Sequence, residues 1–335
     1  MTVRLAINGF GRIGRLALRA IHELDRSDVE LVAINDRSSL EAKAHMFRFD
    51  SAHGRFDGDI STEGGVLDIG RGPITYTNHD LPQDMPWRDA NIDVVLECTG
   101  KYRARDEVAG HIAAGAKRAL IAAPGDNADL TVVYGVNDDQ LSASDVVVSN
   151  ASCTTNCLAP VAKVLHETVG IEQGFMTTVH AYTGDQRLVD SGHKDLRRAR
   201  AAGVSMIPTS TGAARALALV LPDLAGKVEG TAVRVPTVNV SMVDLCFTPS
   251  RTTTVAEINQ AMIAAAKGPL KGILDVADYP GVSIDFAHHP ASAILDLEQT
   301  QIVDGKLARI LAWYDNEWGF ACRMLDTAVA MAAQG

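Results

Sequence analysis

The sequence lacks a long apolar run, a surplus of basic residues and a signal-peptide pattern. No segment approaches the ~20 apolar residues that a membrane-spanning helix needs. The chain starts directly with a strand pattern, MTVRLAIN, where a secreted precursor has a basic region and an apolar stretch. The formal net charge of −10 disfavours nucleic acid as a partner, because phosphate backbones attract basic surfaces. These absences predict a cytoplasmic protein that binds neither membranes nor nucleic acids.

Cysteine is scarce, and its arrangement does not suit a disulfide framework. The thiols are Cys98, Cys153, Cys157, Cys246 and Cys322. An odd number of widely spaced cysteines favours reduced thiols, so an unusual cysteine is expected to be chemical rather than structural. The histidines do not cluster at metal-binding spacing either, and we expect no metal site.

Up to about residue 151, short β-rich runs alternate with helix-like segments. The predicted strands are Val3–Asn8, Val29–Asp36, Ile92–Glu97, Ala119–Ala123, Thr131–Val136 and Asp145–Ser149, with helices at Ile13–Leu24 and Asp106–Ala114. Apolar strands that alternate with helices indicate a parallel sheet covered on both faces, which is an α/β fold.

The second part of the chain has longer strands and helices set apart from them. The predicted strands are Gly174–Ala181, Gly230–Val240, Ser241–Thr248 and Leu307–Trp313, with helices at Cys153–Val169, after Thr254 and near Trp318–Met331. This order predicts an α+β domain on a mainly antiparallel sheet.

A G-x-G-x-x-G motif, Asn8–Gly14, follows the first strand and opens the first helix. Its glycines allow a tight turn and close approach to a pyrophosphate, which the helix N-terminus attracts. About 20 residues later Asp36 ends the second strand, where an acid bonds the adenine ribose of NAD. Arg37 follows at once and keeps NADP use open, and a glycine-rich turn that binds nothing is the alternative. The predicted contacts are Gly9, Gly11, Arg12, Ile13, Gly14 and Asp36.

A second motif, SNASCTTNC at 149–157, lies where a strand passes into a helix. Ser152 is a candidate N-cap, which places Cys153 in the first helical turn, where free N–H groups and the helix dipole favour a thiolate. A thiolate attacks an aldehyde to give a thiohemiacetal, and hydride loss then gives a thioester. His180, at the end of an apolar strand, is a candidate base, although a lone histidine is more often structural. Cys157, one turn after Cys153, is interpreted as helix packing.

Two elements suit anions. The turn Pro208–Arg215 places Thr211 and Gly212 at a helix start, which fits phosphate binding as well as ordinary helix capping. Arg234 stands in an otherwise apolar strand, where a buried cation needs an anionic partner. The basic run at 194–200 is interpreted as a solvated face or a subunit contact.

Further motifs follow in one order along the chain: INGFGRIGR, ECTG at 97–100, SNASCTTNC, HAYTGDQ, IPTSTGAA, VRVPT and WYDNEWGF at 313–320. Through them the sequence resembles the phosphorylating glyceraldehyde-3-phosphate dehydrogenase family nearly from end to end. The resemblance implies a Rossmann domain over 1–151, completed by a C-terminal helix at 317–335, and a catalytic domain over 152–316. It also implies a glycolytic homotetramer that uses NAD and inorganic phosphate to convert glyceraldehyde 3-phosphate to 1,3-bisphosphoglycerate.

The same resemblance implies residue roles. Cys153 is the expected nucleophile and His180 the expected base, and Asn316 is expected to orient the nicotinamide carboxamide. Thr183 and Arg234 are expected to hold the phosphate of the substrate. The residues expected to receive inorganic phosphate are Ser152, Thr154, Thr211 and Gly212.

Three alternatives stay open at this point. An erythrose-4-phosphate dehydrogenase shares SNASCTTNC, but its relatives tend to lose the threonine of HAYT and to change the STG turn, and this chain keeps both. A non-catalytic thiol sensor on the same fold predicts loss of the base or of the phosphate turn. NADP use stays open because Arg37 follows Asp36 and because Ser191-Gly192 stands where NAD-specific relatives often have Leu-Pro. Asp80 replaces a frequent arginine and is expected to loosen binding at the adenine end.

Overall fold

In the computed structural model, which describes residues 2–335, the chain divides into two units. The first unit comprises the residues up to Val132 together with Asp138–Ala151 and Ala321–Gly335. The second comprises Val133–Asn137 and Ser152–Phe320. None of the helices within residues 2–335 has the length and apolar character that crossing a bilayer requires.

The first unit is built on a mostly parallel sheet. Its strands are β1 (Val3–Asn8), β2 (Val29–Asn35), β3 (Phe49–Asp50), β4 (Gly54–Arg55), β5 (Val66–Leu67), β6 (Ile74–Thr77), β7 (Val94–Glu97), β8 (Arg118–Ile121), β9 (Leu130–Thr131) and β10 (Val147–Ser149). Its helices are α1 (Arg12–Glu23), α2 (Leu40–Arg48), α3 (Arg105–Val108) and α4 (Gly110–Ala113). The strand order is β5-β6-β2-β1-β7-β8-β10-β9; β5 joins β6 antiparallel and the other neighbours pair in parallel, while β3 and β4 form a separate hairpin.

The burial of the central strands confirms the predicted α/β fold. Strands β7, β8 and β10 are buried along their whole length, as expected where helices and loops cover both faces of a parallel sheet. The predicted strand Thr131–Val136 is wrong, since β9 ends at Thr131. Beyond it the chain turns back, because the Val133 N–H donates to the side-chain oxygen of Asn137 (2.9 Å) and the Val136 N–H to the Val133 carbonyl (3.0 Å).

A buried polar network links the last residues of β1, β2 and β7. Trp87 donates its indole N–H to Nδ1 of His111 (2.9 Å); because indole is a donor only, the imidazole proton lies on Nε2. Nε2 donates to the Glu97 carboxylate (3.0 Å), which also accepts from the Asn8 amide (2.6 Å). The Asn8 oxygen accepts from the amide of Asn35 (2.9 Å). The network therefore fixes both asparagines at the edge where the glycine-rich turn begins.

The second unit is built on a mainly antiparallel sheet, as predicted. Its strands are β11 (Gln173–Ala181), β12 (Ile207–Ser210), β13 (Val228–Val235), β14 (Ser241–Thr248), β15 (Leu274–Ala277), β16 (Ala293–Asp296), β17 (Gln301–Val303) and β18 (Leu307–Tyr314). The order is β12-β13-β11-β14-β18-β16-β15, with β17 beside β18; β11 pairs in parallel with β13 and β15 with β16, and the other pairings are antiparallel.

Helices and short 3-10 turns complete the fold. The helices are α5 (Cys153–Val169), α6 (Ala213–Val220), α7 (Val255–Lys267) and α8 (Trp318–Ala332), of which α8 belongs to the first unit from Ala321 onward. The 3-10 turns are Glu63–Gly65, Pro82–Asp84, Asp138–Gln140, Ala202–Val204, Pro222–Leu224, Ser283–Phe286 and Leu297–Gln299.

The end of β13 differs from the sequence prediction. The strand was expected to continue to Val240, but it ends at Val235. Pro236 follows and has no N–H to donate to a ladder. The Thr237 N–H then closes a tight turn on the Val235 carbonyl (2.7 Å).

Tyr314 ties α5 to the sheet. Its hydroxyl lies 2.9 Å from the hydroxyl of Thr154 in α5 and 2.9 Å from that of Thr178 in β11. All three side chains are buried, and burial holds the pKa of Tyr314 far above its usual value, so the phenol is neutral. The three hydroxyls therefore share their hydrogen bonds within the protein and fix the start of α5 over β11.

We expect Tyr314→Phe to lower the free energy of unfolding by about 1–3 kcal/mol, because two buried threonine hydroxyls lose their shared partner. Urea unfolding of the purified variant measures this change. Tyr279→Phe is the matched control, since Tyr279 is 46% exposed, and a change within about 0.5 kcal/mol is expected there. Equal effects of the two substitutions would contradict the assigned role of Tyr314.

Candidate active site

The glycine-rich turn between β1 and α1 has the shape of a pyrophosphate cradle. Gly9 has a φ of 93°, and a Cβ on it would lie 2.6 Å from the Thr99 nitrogen. A Cβ on Gly14 would lie 2.4 Å from the Gly9 carbonyl oxygen, so this position allows close packing of helix on strand. Over Gly11 the space is open to 4 Å, which leaves its backbone accessible to a ligand. The three glycines thus match the three roles of glycine in a dinucleotide-binding turn, which are the tight turn, close approach of the backbone to the pyrophosphate and close packing of helix on strand.

Within the part of the chain that the structure describes, no side chain caps the backbone N–H groups at the start of α1. Gly11 is the N-cap and has no side chain with which to cap them, and the first turn, Arg12-Ile13-Gly14-Arg15, contains no carboxylate. Such a helix start attracts phosphate. The Arg12 guanidinium binds Asp50 (2.6 Å); burial raises the pKa of Asp50, but Arg12 and two backbone N–H groups bring it down to about 2.

Asp36 lies in the same pocket as Gly9 and Gly11, as the motif spacing predicts. Its carboxylate accepts from the Phe10 N–H (2.8 Å), the Ser38 N–H (2.9 Å) and the ammonium of Lys43 (2.9 Å). Burial raises the pKa of Asp36, but these donors outweigh burial and hold it below its usual value. The carboxylate is therefore charged and rigidly held at the edge of the pocket.

The structure brings Cys153 and His180 together. Ser152 caps α5 by accepting from the Thr155 N–H (3.1 Å), so Cys153 is the first helical residue. His180 lies near the end of β11, and its Nε2 is 3.5 Å from Sγ of Cys153. Its Nδ1 is 2.7 Å from the carbonyl oxygen of Ala181, an acceptor only, and 3.0 Å from Nη1 of Arg234, a donor only. The shorter contact favours a proton on Nδ1, and in that tautomer Nε2 faces the sulfur with its lone pair.

The surroundings keep this pair uncharged at rest. Burial and the positive charge of Arg234 lower the pKa of His180 to about 3, so the imidazole is neutral at physiological pH. Burial raises the pKa of Cys153, while Arg234 and the N–H of Thr154 lower it by less. The helix N-terminus alone predicts a lowered thiol pKa, and burial reverses the sign. The free thiol therefore needs the imidazole beside it as a proton acceptor.

Arg234 is the charged member of this centre. It pairs in register with His180 across β11 and β13, and its Nη1 lies 3.1 Å from the Ala181 carbonyl oxygen and 3.0 Å from Nδ1 of His180. Within residues 2–335, its buried Nε has no hydrogen-bond partner. A buried guanidinium with an unused donor fits an anionic ligand.

The four residues predicted to bind inorganic phosphate lie at the starts of two helices and differ in whether their side chains already have partners. Thr211 and Gly212 lie between β12 and α6, with Gly212 as N-cap and the Thr211 hydroxyl accepting from the Ala213 N–H (3.2 Å). The Ser152 hydroxyl caps α5, and the Thr154 hydroxyl faces Tyr314 inside the protein. Neither of those two hydroxyls is free in this structure, so their role as phosphate donors stays a prediction.

Thr183 and Asn316 were singled out by resemblance rather than by local pattern. Thr183 follows the end of β11 in a turn, where its carbonyl accepts from the Gln186 N–H (2.9 Å). Asn316 is buried, and its side-chain oxygen accepts from the Ser241 hydroxyl (2.9 Å), which in turn accepts from the Ala181 N–H (3.0 Å). These two hydrogen bonds fix the amide of Asn316 so that its NH₂ group faces away from Ser241.

Arg198 is a candidate residue that sequence reasoning missed. The basic run 194–200 was interpreted as a solvated face or subunit contact, but Arg198 donates to the Thr209 hydroxyl (3.0 Å), the Ser210 carbonyl (3.1 Å) and Asp185 (2.6 Å). Its charge also contributes to lowering the pKa values of His180 and Arg234. The only signal in the sequence is the density of arginines, which does not distinguish one of them from another.

We expect Arg234→Gln to shift the pH midpoint of Cys153 alkylation upward. The arginine charge lowers the thiol pKa, so its removal raises that pKa and shrinks the thiolate fraction at pH 7, roughly tenfold for each pKa unit. The rate of iodoacetamide alkylation against pH measures the midpoint. Arg234→Lys keeps the charge and is expected to stay near the wild-type midpoint. A midpoint that is unchanged or lowered in the glutamine variant would refute this electrostatic assignment.

Comparison with known proteins agrees with the geometry. The family model "Glyceraldehyde 3-phosphate dehydrogenase, NAD binding domain" matches residues 3–105, and "Glyceraldehyde 3-phosphate dehydrogenase, C-terminal domain" matches residues 152–316. The chain is 61% identical to a glyceraldehyde-3-phosphate dehydrogenase of Xanthobacter flavus over 100% of both chains. It is 58% identical to one of Cereibacter sphaeroides over 99% of both, and 50% identical to glyceraldehyde-3-phosphate dehydrogenase 2 of Bacillus subtilis over 100% of this chain and 98% of the relative. The chain belongs to the glyceraldehyde-3-phosphate dehydrogenase family.

Proposed function

We propose that the chain oxidises D-glyceraldehyde 3-phosphate with NAD and inorganic phosphate to give 1,3-bisphosphoglycerate. The observation that carries this function is the 3.5 Å contact between Sγ of Cys153 and Nε2 of buried His180, in a chain of this family. The comparisons do not favour the erythrose-4-phosphate and thiol-sensor alternatives, because the relatives carry the glyceraldehyde-3-phosphate dehydrogenase name along the full chain.

The residues present fit the dinucleotide. Open space over Gly11 and the uncapped N-terminus of α1 suit a pyrophosphate, and Asp36 stands at the ribose end of the same pocket. Gly9 and the backbone of Arg12 and Ile13 complete that cradle, and Asn316 offers its NH₂ group to a carboxamide. When bound, NAD supplies the hydride acceptor for the oxidation.

The first chemical task of the pair is to form a nucleophile. As Sγ of Cys153 attacks the aldehyde carbon, Nε2 of His180 accepts the thiol proton, and then returns it to the new alkoxide to give a thiohemiacetal. The Cys153 N–H at the start of α5 and Nε2–H of His180 stabilise the charge on that oxygen. Burial favours this route, because the pair passes a proton between neutral groups instead of storing charge.

The second task is proton removal during oxidation. His180 accepts the hydroxyl proton of the thiohemiacetal as its carbon gives up a hydride, which leaves a thioester on Cys153. A phosphate oxygen then attacks the thioester carbonyl, and the Cys153 thiolate departs and is reprotonated from His180. The products are an acyl phosphate, a reduced dinucleotide and one released proton.

In this mechanism, nearby cationic side chains and helix N-termini bind the substrate phosphate and inorganic phosphate. We assign the phosphate of the substrate to Arg234, whose buried Nε has an unused donor, and to Thr183. Inorganic phosphate is assigned to Thr211 and Gly212 at the start of α6, with Ser152 and Thr154 at the start of α5. Because the net charge is −10, these groups have to offset an unfavourable overall field.

The domain roles and the assembly state belong to the same proposal. The first unit is the dinucleotide-binding domain and the second the catalytic domain, in a cytoplasmic homotetramer. Largely exposed apolar side chains in one loop region support self-association; they are Leu188, Val189, Leu196, Val204 and Met206. A monomeric mass in sedimentation at micromolar concentration would contradict this assembly.

Initial rates of NAD reduction with glyceraldehyde 3-phosphate test the function. Reduction is expected to be fast with inorganic phosphate and slow without it, and Cys153→Ser is expected to lower kcat by at least about 1,000-fold. Cys246→Ser, which changes an exposed thiol, is the control and is expected to retain wild-type activity. A rate that does not depend on inorganic phosphate, or a higher kcat/KM for erythrose 4-phosphate than for glyceraldehyde 3-phosphate, would contradict the proposal.

A further inference from the structure

The charge of Asp36 is already neutralised inside the protein. Lys43, whose side chain is 10% exposed, places its ammonium 2.9 Å from the Asp36 carboxylate and also donates to the Phe10 carbonyl (3.0 Å). A carboxylate at this position excludes the 2′-phosphate of NADP by repulsion, but a buried cation in contact with it cancels much of that repulsion. Discrimination between NAD and NADP therefore needs a further charged group at this end of the pocket.

Arg37 and Asp80 supply a second ion pair in the same pocket. Both line it together with Asp36 and Gly9, and the Arg37 guanidinium contacts the Asp80 carboxylate directly. The pairing follows from sheet register, because β2 and β6 run in parallel and both residues leave the carboxyl ends of these strands.

Hydrogen bonds hold the backbone on both sides of this pair. On the Arg37 side, the Asn78 amide donates to the Arg37 carbonyl (3.3 Å) and the Tyr76 hydroxyl to the next carbonyl along the chain (2.8 Å). On the other side, the Tyr102 hydroxyl donates to the Asp80 carbonyl (2.7 Å). These hydrogen bonds fix the backbone positions of Arg37 and Asp80, although their side chains are 70% and 64% exposed, respectively.

We propose that Asp80 is a specificity-determining residue that holds the Arg37 guanidinium and so keeps it from pairing with the 2′-phosphate of NADP. Two ion pairs meet at this end of the pocket, Asp36 with Lys43 and Arg37 with Asp80, and the charges cancel within each pair. Lys101 also lines the pocket, and its ammonium contacts the Tyr102 hydroxyl (2.9 Å). Removal of the Asp80 charge leaves Arg37 uncompensated where a 2′-phosphate with nearly two negative charges would lie. This inference rests on the proposed function, since it assumes that this pocket binds the adenosine end of NAD.

Calorimetric titration of NAD and NADP into wild-type enzyme and Asp80→Asn tests the proposal. We expect the Kd of NADP to fall about tenfold at low ionic strength, with the Kd of NAD changed by less than about twofold, because the gain is electrostatic. Raising the salt to about 0.5 M is expected to remove most of the gain, since the pair is exposed. The ratio of kcat/KM for the two cofactors is expected to move in the same direction.

Two further variants decide the mechanism. Asp84→Asn removes the same charge from a nearby exposed acid outside the pocket lining, and no gain in NADP affinity is expected. The double variant Arg37→Gln, Asp80→Asn is expected to lose the gain, because the released guanidinium is gone. A gain that survives in the double variant, a gain in Asp84→Asn, or none in Asp80→Asn would overturn the proposal. Failure of wild-type enzyme to bind NAD would instead reject the proposed function itself.

Discussion

The contact between Sγ of Cys153 and Nε2 of His180 is the interaction on which the rest of the site depends. The two residues come from different elements, the first turn of α5 and the end of β11, so their 3.5 Å separation is set by packing. Ser152 fixes where α5 starts, and Tyr314 holds that start against β11 through two threonine hydroxyls. A small shift at either anchor would separate Sγ of Cys153 from the imidazole of His180.

Burial determines how this pair works. Taken out of water, a thiol and an imidazole both favour their neutral forms, and here the pKa of the thiol is raised and that of the imidazole is lowered to about 3. Proton transfer from one to the other leaves their summed charge at zero, so the step avoids the cost of burying a lone ion. Arg234 biases the pair toward the thiolate, and its buried Nε is an unused donor.

Local sequence patterns predicted much of this architecture. The apolar runs of β7, β8 and β10 indicated a covered parallel sheet, and the glycine spacing predicted the three geometric tasks that Gly9, Gly11 and Gly14 perform. Features that arise from contacts between distant parts of the chain could not be predicted from local sequence patterns. Neither the thiol pKa raised by burial nor the Lys43 ammonium beside Asp36 follows from neighbouring residues. Arg198 was missed for the same reason, since its hydrogen-bond partners lie more than ten positions away in the chain.

Trapping the acyl-enzyme shows whether Cys153 carries the covalent intermediate. Enzyme is mixed with glyceraldehyde 3-phosphate and NAD without inorganic phosphate, quenched with acid and analysed by intact-protein and peptide mass spectrometry. We expect one phosphoglyceroyl group per chain on the peptide that contains Cys153, formed with one equivalent of reduced NAD and discharged when phosphate is added. A burst of reduced NAD without an adduct on Cys153, or an adduct that phosphate does not discharge, would contradict this role of Cys153.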